Sequence, residues 1–261
     1  MTQPPDRPPL NPLDGPFSSI LCVVAHPDDI EYGTAAAIDR WVGEGSRVAY
    51  FLLTRGEAGI DTMDPETAAR VREEEERESA RRVGVDTVEF ADWQDGAIEY
   101  GVPLRSEIAA AVRRHRPDLV IGSNWETMFG PGMVNQADHR AVGLATLDAV
   151  ADAGNRWLHR DLLDSGLEPW NGVTVYAVSG SPRPTHFVDE SGKHFEASVH
   201  SLEAHQAYND ALPEQFPEPR ALLQMILGNG GQAAGLEHAL TLEVVFDRRQ
   251  PPPWVTGAEE A

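Results

Sequence analysis

Residues 20–29 read ILCVVAHPDD, a continuous apolar run that ends in a histidine, a proline and two aspartates. An uninterrupted apolar run is typical of a central parallel strand, because such a strand is covered on both faces. In an open sheet of parallel strands, ligands bind outside the carboxyl ends of the strands. The stretch therefore predicts a buried central strand at 20–25 whose end presents polar side chains to a binding site.

The rest of the chain alternates between strand patterns and helix patterns. Further strands are expected at 47–53, 87–90, 118–122, 173–178 and 240–246, and helices at 35–42, 66–83, 104–115, 138–153 and 198–208. Alternating strands and helices with short connections indicate an α/β fold, with a mostly parallel sheet and helices on both of its faces. The proline-rich ends, 1–17 and 250–261, are predicted to be flexible, which leaves a single domain at 18–249.

The charge of the chain excludes several classes of partner. It carries 42 acidic and 21 basic side chains, a formal net charge of −21, whereas nucleic acids and anionic membrane surfaces attract basic proteins. Its apolar runs are far shorter than the roughly 20 residues that span a bilayer. The N-terminus lacks a secretory signal pattern and Cys22 is the single cysteine, so we expect a cytoplasmic protein that binds a small molecule.

Two polar motifs follow the first and fourth predicted strands. His26 and Asp29 could form half of a metal site, and His139, at the start of a later helix, could complete it with one coordination position open for water. Asp28 would be left free as a general base, and Asp138 could orient an imidazole. The alternative is that these aspartates only cap helices and that His139 is exposed.

The motifs resemble those of the LmbE-like, or PIG-L, metal-dependent de-N-acetylases. The matching stretches are 23–33 (VVAHPDDIEYG), 53–59 (LTRGEAG), 95–96 (DG), 117–124 (PDLVIGSN), 138–142 (DHRAV) and, more weakly, 201–206 (SLEAHQ). The resemblance implies a Rossmann-like sheet with the site at the carboxyl edge of the strands.

The resemblance also implies a reaction. Zinc would be held by His26, Asp29 and His139, although the same ligands accept iron, manganese or cobalt, and Asp28 would be the general base. The substrate would be an N-acylated amino sugar, which loses its acyl group. Relatives often form closed oligomers, and the sequence leaves the oligomeric state of this chain open.

The sequence departs from the family pattern at Gln136, where the family often has a histidine that stabilises the oxyanion. His205, in the late motif, is the candidate to take over that role; the alternative is an exposed helix histidine. By resemblance, Arg55, Asn124, Gln136 and Trp125 are expected to contact substrate, with ordinary loop packing as the alternative for Trp125.

Three functions are compatible with these residues. The first is a zinc hydrolase that deacylates a GlcNAc-type conjugate. The second is an amidase of a thiol conjugate or a hydratase of a small unsaturated carboxylic acid on the same fold, for which Arg55 and Arg140 would suit a carboxylate. The third is a non-catalytic binding module, which the complete set of metal-ligand types and Asp28 disfavours.

Overall fold

A computed structural model describes residues 8–250. The strands are β1 (Asn11–Pro12), β2 (Ser19–Val24), β3 (Arg47–Leu52), β4 (Thr87–Phe90), β5 (Leu119–Ser123), β6 (Met128–Gly130), β7 (Met133–Val134), β8 (Val175–Ser179), β9 (His186–Asp189) and β10 (Ala239–Asp247). The helices are α1 (Thr34–Gly43), α2 (Pro65–Arg82), α3 (Val102–His115), α4 (Ala137–Ala153), α5 (Arg160–Asp164), α6 (Lys193–Leu202), α7 (Gln206–Ala211) and α8 (Pro219–Ala234). None of the helices in this part of the chain is long and apolar enough to cross a membrane.

The main sheet has the strand order β1-β9-β10-β8-β5-β2-β3-β4. The run from β8 to β4 is parallel, and β10 is antiparallel to both β8 and β9. This arrangement confirms the predicted α/β fold with a mostly parallel sheet. Because parallel strands end at the same edge, the loops after β2, β3, β4, β5 and β8 converge there.

The central strand β2 is buried along its whole length, which explains its continuous apolar sequence. Ile20, Cys22 and Val24 belong to a core formed with α1, α6 and α8. Leu21 and Val23 face the opposite core, which is formed with α3 and α4. Alternate side chains of a strand point to opposite faces, so helices on both faces of the sheet are needed to cover this sequence.

The prediction of a flexible lead-in at 1–17 is wrong for the part that the structure describes. Asn11 and Pro12 pair with β9, and Leu13 and Phe17 are buried in the core. Prolines favour an extended backbone, which suits an edge strand as well as a flexible segment, and the apolar residues between them supply the packing. Residues 1–7 and the predicted tail from 251 onward lie outside the described residues.

The last third differs most from the expectations. The single helix predicted at 198–208 is divided into α6 and α7, which are separated at 203–205. Helix α8 was missed because its glycines weaken the helical pattern. One of them, Gly230, has a packing reason: an added Cβ would overlap the carbonyl group of Ala239 in β10.

Candidate metal centre

Three ligand-type side chains converge at the carboxyl edge of the sheet. His26 follows β2, Asp29 lies in the same turn, and His139 lies in the first turn of α4, which follows the neighbouring strand β5. His26 Nδ1 is 3.2 Å from His139 Nε2 and 3.7 Å from Asp29 Oδ2. His139 Nε2 is 3.0 Å from Asp29 Oδ1. Ligand atoms bound about 2.1 Å from a tetrahedral zinc ion lie about 3.4 Å apart, so this donor set fits such an ion.

The side chain of Asp29 stabilises the turn that carries His26 and Asp29. Asp29 Oδ2 accepts hydrogen bonds from the backbone N–H groups of Ala25 at 3.1 Å and His26 at 2.9 Å. Burial would raise the pKa of Asp29, but His139 and these hydrogen bonds lower it. The carboxylate is therefore ionised, as a metal ligand must be.

The ring nitrogens that face away from the triad have polar partners. His26 Nε2 lies 3.0 Å from Asp95 Oδ1 and 3.3 Å from Asp138 Oδ2, and His139 Nδ1 lies 3.0 Å from Asn135 Oδ1. These acceptors favour the tautomers that leave His26 Nδ1 and His139 Nε2 free to bind a metal. Asp138 therefore supports the imidazole of His26 and not that of its neighbour His139.

Asp28 lies beside the triad and has a different environment. Its backbone has φ 86°, in the left-handed region, and its buried carboxylate accepts a hydrogen bond from Arg72 Nη2 at 3.0 Å. Its N–H donates to Glu76 Oε2 at 3.2 Å. Burial raises the pKa of Asp28 and the guanidinium of Arg72 opposes that shift. A carboxylate with a raised pKa and no place in the triad suits a general base.

The triad and Asp28 line a cavity of about 1010 Å³. Its polar wall includes Asn124 and Gln136. Its apolar wall includes Phe129, whose ring centroid is 6.0 Å from that of His139. The cavity has room for a ligand larger than a monosaccharide, and its lining offers both partners for hydroxyl groups and apolar contacts.

Comparisons with known proteins identify the family of this chain. Residues 21–150 match the family PIG-L, described as GlcNAc-PI de-N-acetylase. A diacetylchitobiose deacetylase of Thermococcus kodakarensis is 31% identical over 79% of this chain and 74% of its own length. The chain belongs to the PIG-L family. A 1D-myo-inositol 2-acetamido-2-deoxy-alpha-D-glucopyranoside deacetylase of Kineococcus radiotolerans is 30% identical over 67% of this chain and 55% of its own length.

Solved structures confirm the fold that the family resemblance implied. N,N'-diacetylchitobiose deacetylase from Pyrococcus horikoshii has a TM-score of 0.78 at 23% identity, over 92% of this chain and 88% of its own. GalB, a 4-carboxy-2-hydroxymuconate hydratase, has a TM-score of 0.72 at 20% identity, over 90% and 99%. The same PIG-L fold is thus found in a deacetylase and in a hydratase, so function has to be argued from the site.

The residues expected to contact substrate divide into two groups. Asn124 and Gln136 line the cavity. Arg55 does not: it forms ion pairs with Glu73 at 3.0 Å and Asp92 at 2.7 Å, so its role as a substrate ligand is corrected to a structural one. Trp125 also lies outside the lining and packs against the core beneath the sheet, which corrects its assignment in favour of the packing alternative.

The assignment of His205 also needs correction. Its side chain is fully buried and is absent from the cavity lining, so neither direct substrate contact nor the alternative of an exposed helix histidine is right. The reason is the separation of α6 from α7, which turns this residue inward. Its ring lies near two buried carboxylates, Glu31 and Glu76.

Sequence reasoning missed Arg72 and Tyr208, which line the cavity near Asp28, as Tyr32 also does. The guanidinium carbon of Arg72 lies 4.0 Å from the ring centroid of Tyr208. The sequence of α2 is dominated by charged residues, which hides the burial of Arg72. A helical spacing with Ala68 and Ser79, both small and buried, was the available signal that this face packs inward.

Proposed function

We propose that this PIG-L family member is a zinc-dependent hydrolase that removes an acetyl or longer acyl group from an N-acylated amino sugar of the GlcNAc type. One observation carries the proposal: the convergence of His26, Asp29 and His139 in the wall of an open cavity, beside the carboxylate of Asp28, which is not part of the triad. The names of the relatives, which are deacetylases of diacetylchitobiose and of a GlcNAc-inositol, support this substrate class.

The reaction replaces the amide C–N bond by a C–O bond to water. His26, Asp29 and His139 would hold the zinc, which would supply a Lewis acid able to make water nucleophilic near neutral pH and to polarise the carbonyl group. Asp28 takes the proton that water loses and delivers it to the nitrogen of the departing amine. The second proton of water also ends on the amine, so the products are a carboxylate and the amino sugar in its ammonium form, and atoms and charge balance.

Other side chains position these groups. Arg72 keeps the buried carboxylate of Asp28 in place through the 3.0 Å ion pair. Gln136 lies at the cavity wall, where its amide is able to donate a hydrogen bond to the oxyanion in place of the histidine that the family often has. Asn124 supplies a second amide, which its contacts with Met128 and Glu126 hold in one orientation.

The hydratase alternative has less support from the cavity. A small dicarboxylate needs a free cationic side chain, and Arg55 is bound to Glu73 and Asp92 outside the cavity. Arg140 donates to the backbone oxygen of Asn135. Arg72 does line the cavity, but its guanidinium is paired with Asp28 and so is not free to bind a substrate carboxylate.

The test is a comparison of substrate classes with zinc-loaded, chelated and reloaded protein. We expect acetate and a free amine in equal amounts from N,N'-diacetylchitobiose or GlcNAc conjugates, loss of turnover after chelation and recovery after reloading. Hydration of unsaturated dicarboxylates without any amine release would overturn the proposal. Reloading in parallel with iron, manganese and cobalt tests the preference for zinc.

A further inference from the structure

A second cluster of metal-ligand types lies next to Asp28 but outside the cavity lining. His205 Nε2 is 3.6 Å from Glu31 Oε2 and 3.6 Å from Glu76 Oε2. The three ligand atoms all lie within 4.8 Å of one another. The side chains come from the turn after β2, from α2 and from the junction of α6 and α7, and so from three different packing elements.

All three side chains are completely buried. Glu31 Oε2, Glu76 Oε1 and both ring nitrogens of His205 have no hydrogen-bond partner within residues 8–250. Leaving ionised groups unpaired away from water is strongly unfavourable. The cluster therefore has buried lone pairs available to an additional binding partner.

The atoms that do have partners fix the orientation of the carboxylates. Glu31 Oε1 accepts from the hydroxyl of Ser79 at 2.6 Å, which leaves Oε2 directed toward His205. Glu76 Oε2 accepts from the backbone N–H of Asp28. Among the described residues, His205 is the sole basic side chain within 4.0 Å of either glutamate carboxylate, so the cluster has an excess of negative charge.

We propose that Glu31, Glu76 and His205 hold a second divalent metal ion, separate from the catalytic triad. The 3.6 Å separations are close to the roughly 3.4 Å expected between ligand atoms of a tetrahedral ion. One imidazole and two carboxylates suit zinc, manganese, iron or cobalt. The ion neutralises the buried carboxylates and gives a partner to Glu31 Oε2 and to His205 Nε2, which otherwise have none.

The position of this ion gives it a supporting role. Glu76 is both a ligand and the acceptor for the N–H of Asp28, whose backbone is in the left-handed region. A metal at the second cluster thus immobilises the turn that presents the general base. It has no direct route to substrate, because none of its three ligands lines the cavity.

The number of metal ions bound per chain tests the proposal directly. Protein equilibrated with Zn²⁺ or Co²⁺ and freed of excess metal should contain about two ions per chain. Glu76→Gln should contain one and keep the ion of the catalytic triad, whereas His139→Ala should lose that ion and keep the second. Glu190→Gln is the matched control, because Glu190 is another buried, unpaired glutamate outside both clusters, and it should retain two.

One ion per chain in the wild type, or equal content in the wild type and Glu76→Gln, would overturn the proposal and would show that protons neutralise the cluster instead. If Glu76→Gln does not fold, anomalous diffraction from Co²⁺-loaded wild-type crystals decides. A peak between the three side chains supports the second ion, and a peak at the catalytic triad alone contradicts it. Neither readout depends on turnover, so the deacetylase proposal stands or fails separately.

Discussion

The triad of His26, Asp29 and His139 and the cluster of Glu31, Glu76 and His205 use the same side-chain types in different surroundings. The first comes from the turn after β2 and the start of α4, at the carboxyl edge of the sheet, and opens into the cavity. The second comes from the turn after β2, from α2 and from the junction of α6 and α7, and is closed to solvent. Both contain similar distances between ligand atoms.

The difference shows that ligand geometry alone does not identify a reactive site. A catalytic metal needs an open coordination position and room for substrate, whereas a structural ion is enclosed by protein. Asp28 lies between the two sets: its carboxylate lines the cavity and its N–H binds Glu76. We therefore expect substitutions on the cavity side to affect turnover most, and those on the closed side to act through the position of Asp28.

The largest difference is expected between two histidine substitutions. His139→Ala removes a catalytic ligand and should lower kcat/KM by a factor of about 10³ or more, because a metal contributes several kcal/mol to the transition state. His205→Gln should retain the catalytic ion and measurable turnover. Metal analysis and initial rates check both variants, and equal losses of the catalytic ion would contradict the division.

The carboxylate behind His26 provides the next test. Asp138 accepts hydrogen bonds from the backbone N–H groups of Gly96 and Ile98, and it also faces His26. Asp138→Asn should weaken binding of the catalytic metal by about 10- to 100-fold, as is typical for such supporting groups. Competition with a chelator measures this affinity. An unchanged affinity would show that the tautomer of His26 does not depend on Asp138.

The same substitution at two arginines, Arg72 and Arg55, should give a smaller difference in rate. Arg72→Gln leaves the buried Asp28 without its cation, so the pKa of Asp28 rises further and the acid limb of the rate profile moves to higher pH. At pH 7 we expect a rate loss of about tenfold. Arg55→Gln breaks partly exposed ion pairs worth about 1 kcal/mol or less and should stay within about twofold. Identical pH profiles for both variants would contradict the pairing of Arg72 with Asp28.

The smallest effect is proton release on metal binding. Burial lowers the pKa of His26, but Asp138 and Asp95 outweigh it and raise the pKa to about 10 in the metal-free protein. The imidazole is then protonated at pH 8 and must lose about one proton to bind zinc, so affinity rises with pH up to about 10. Calorimetry in buffers of different ionisation enthalpy detects this proton, and buffer-independent heats would contradict it.

The convergence of His26, Asp29 and His139 was predictable because the topology of the sheet brings them together. β2 and β5 are neighbours, so motifs that follow them meet at one edge whatever the details of packing. The position of Asp28 beside them was predictable for the same reason. These residues lie within a few positions of a strand end, where the sequence pattern is strongest.

The errors concern side chains whose direction depends on tertiary packing. Arg55 lies in the loop after β3 and Arg72 lies in α2, and both are cationic. Only the packing of α2 decides that Arg72, and not Arg55, lines the cavity. Glu76 lies in the same charged helix and is buried there. His205 depends on a helix break that no proline or glycine announces in the sequence.

The most direct measurement of the central claim is the rate of acetate release by zinc-loaded Asp28→Asn. We predict that this variant binds the catalytic metal normally and loses about 10²- to 10⁴-fold in kcat, the usual contribution of a general base. Asp86→Asn, at an exposed aspartate, should match the wild type. A zinc-loaded Asp28→Asn protein with wild-type kcat would contradict the account, because the proton would then be moved by another group.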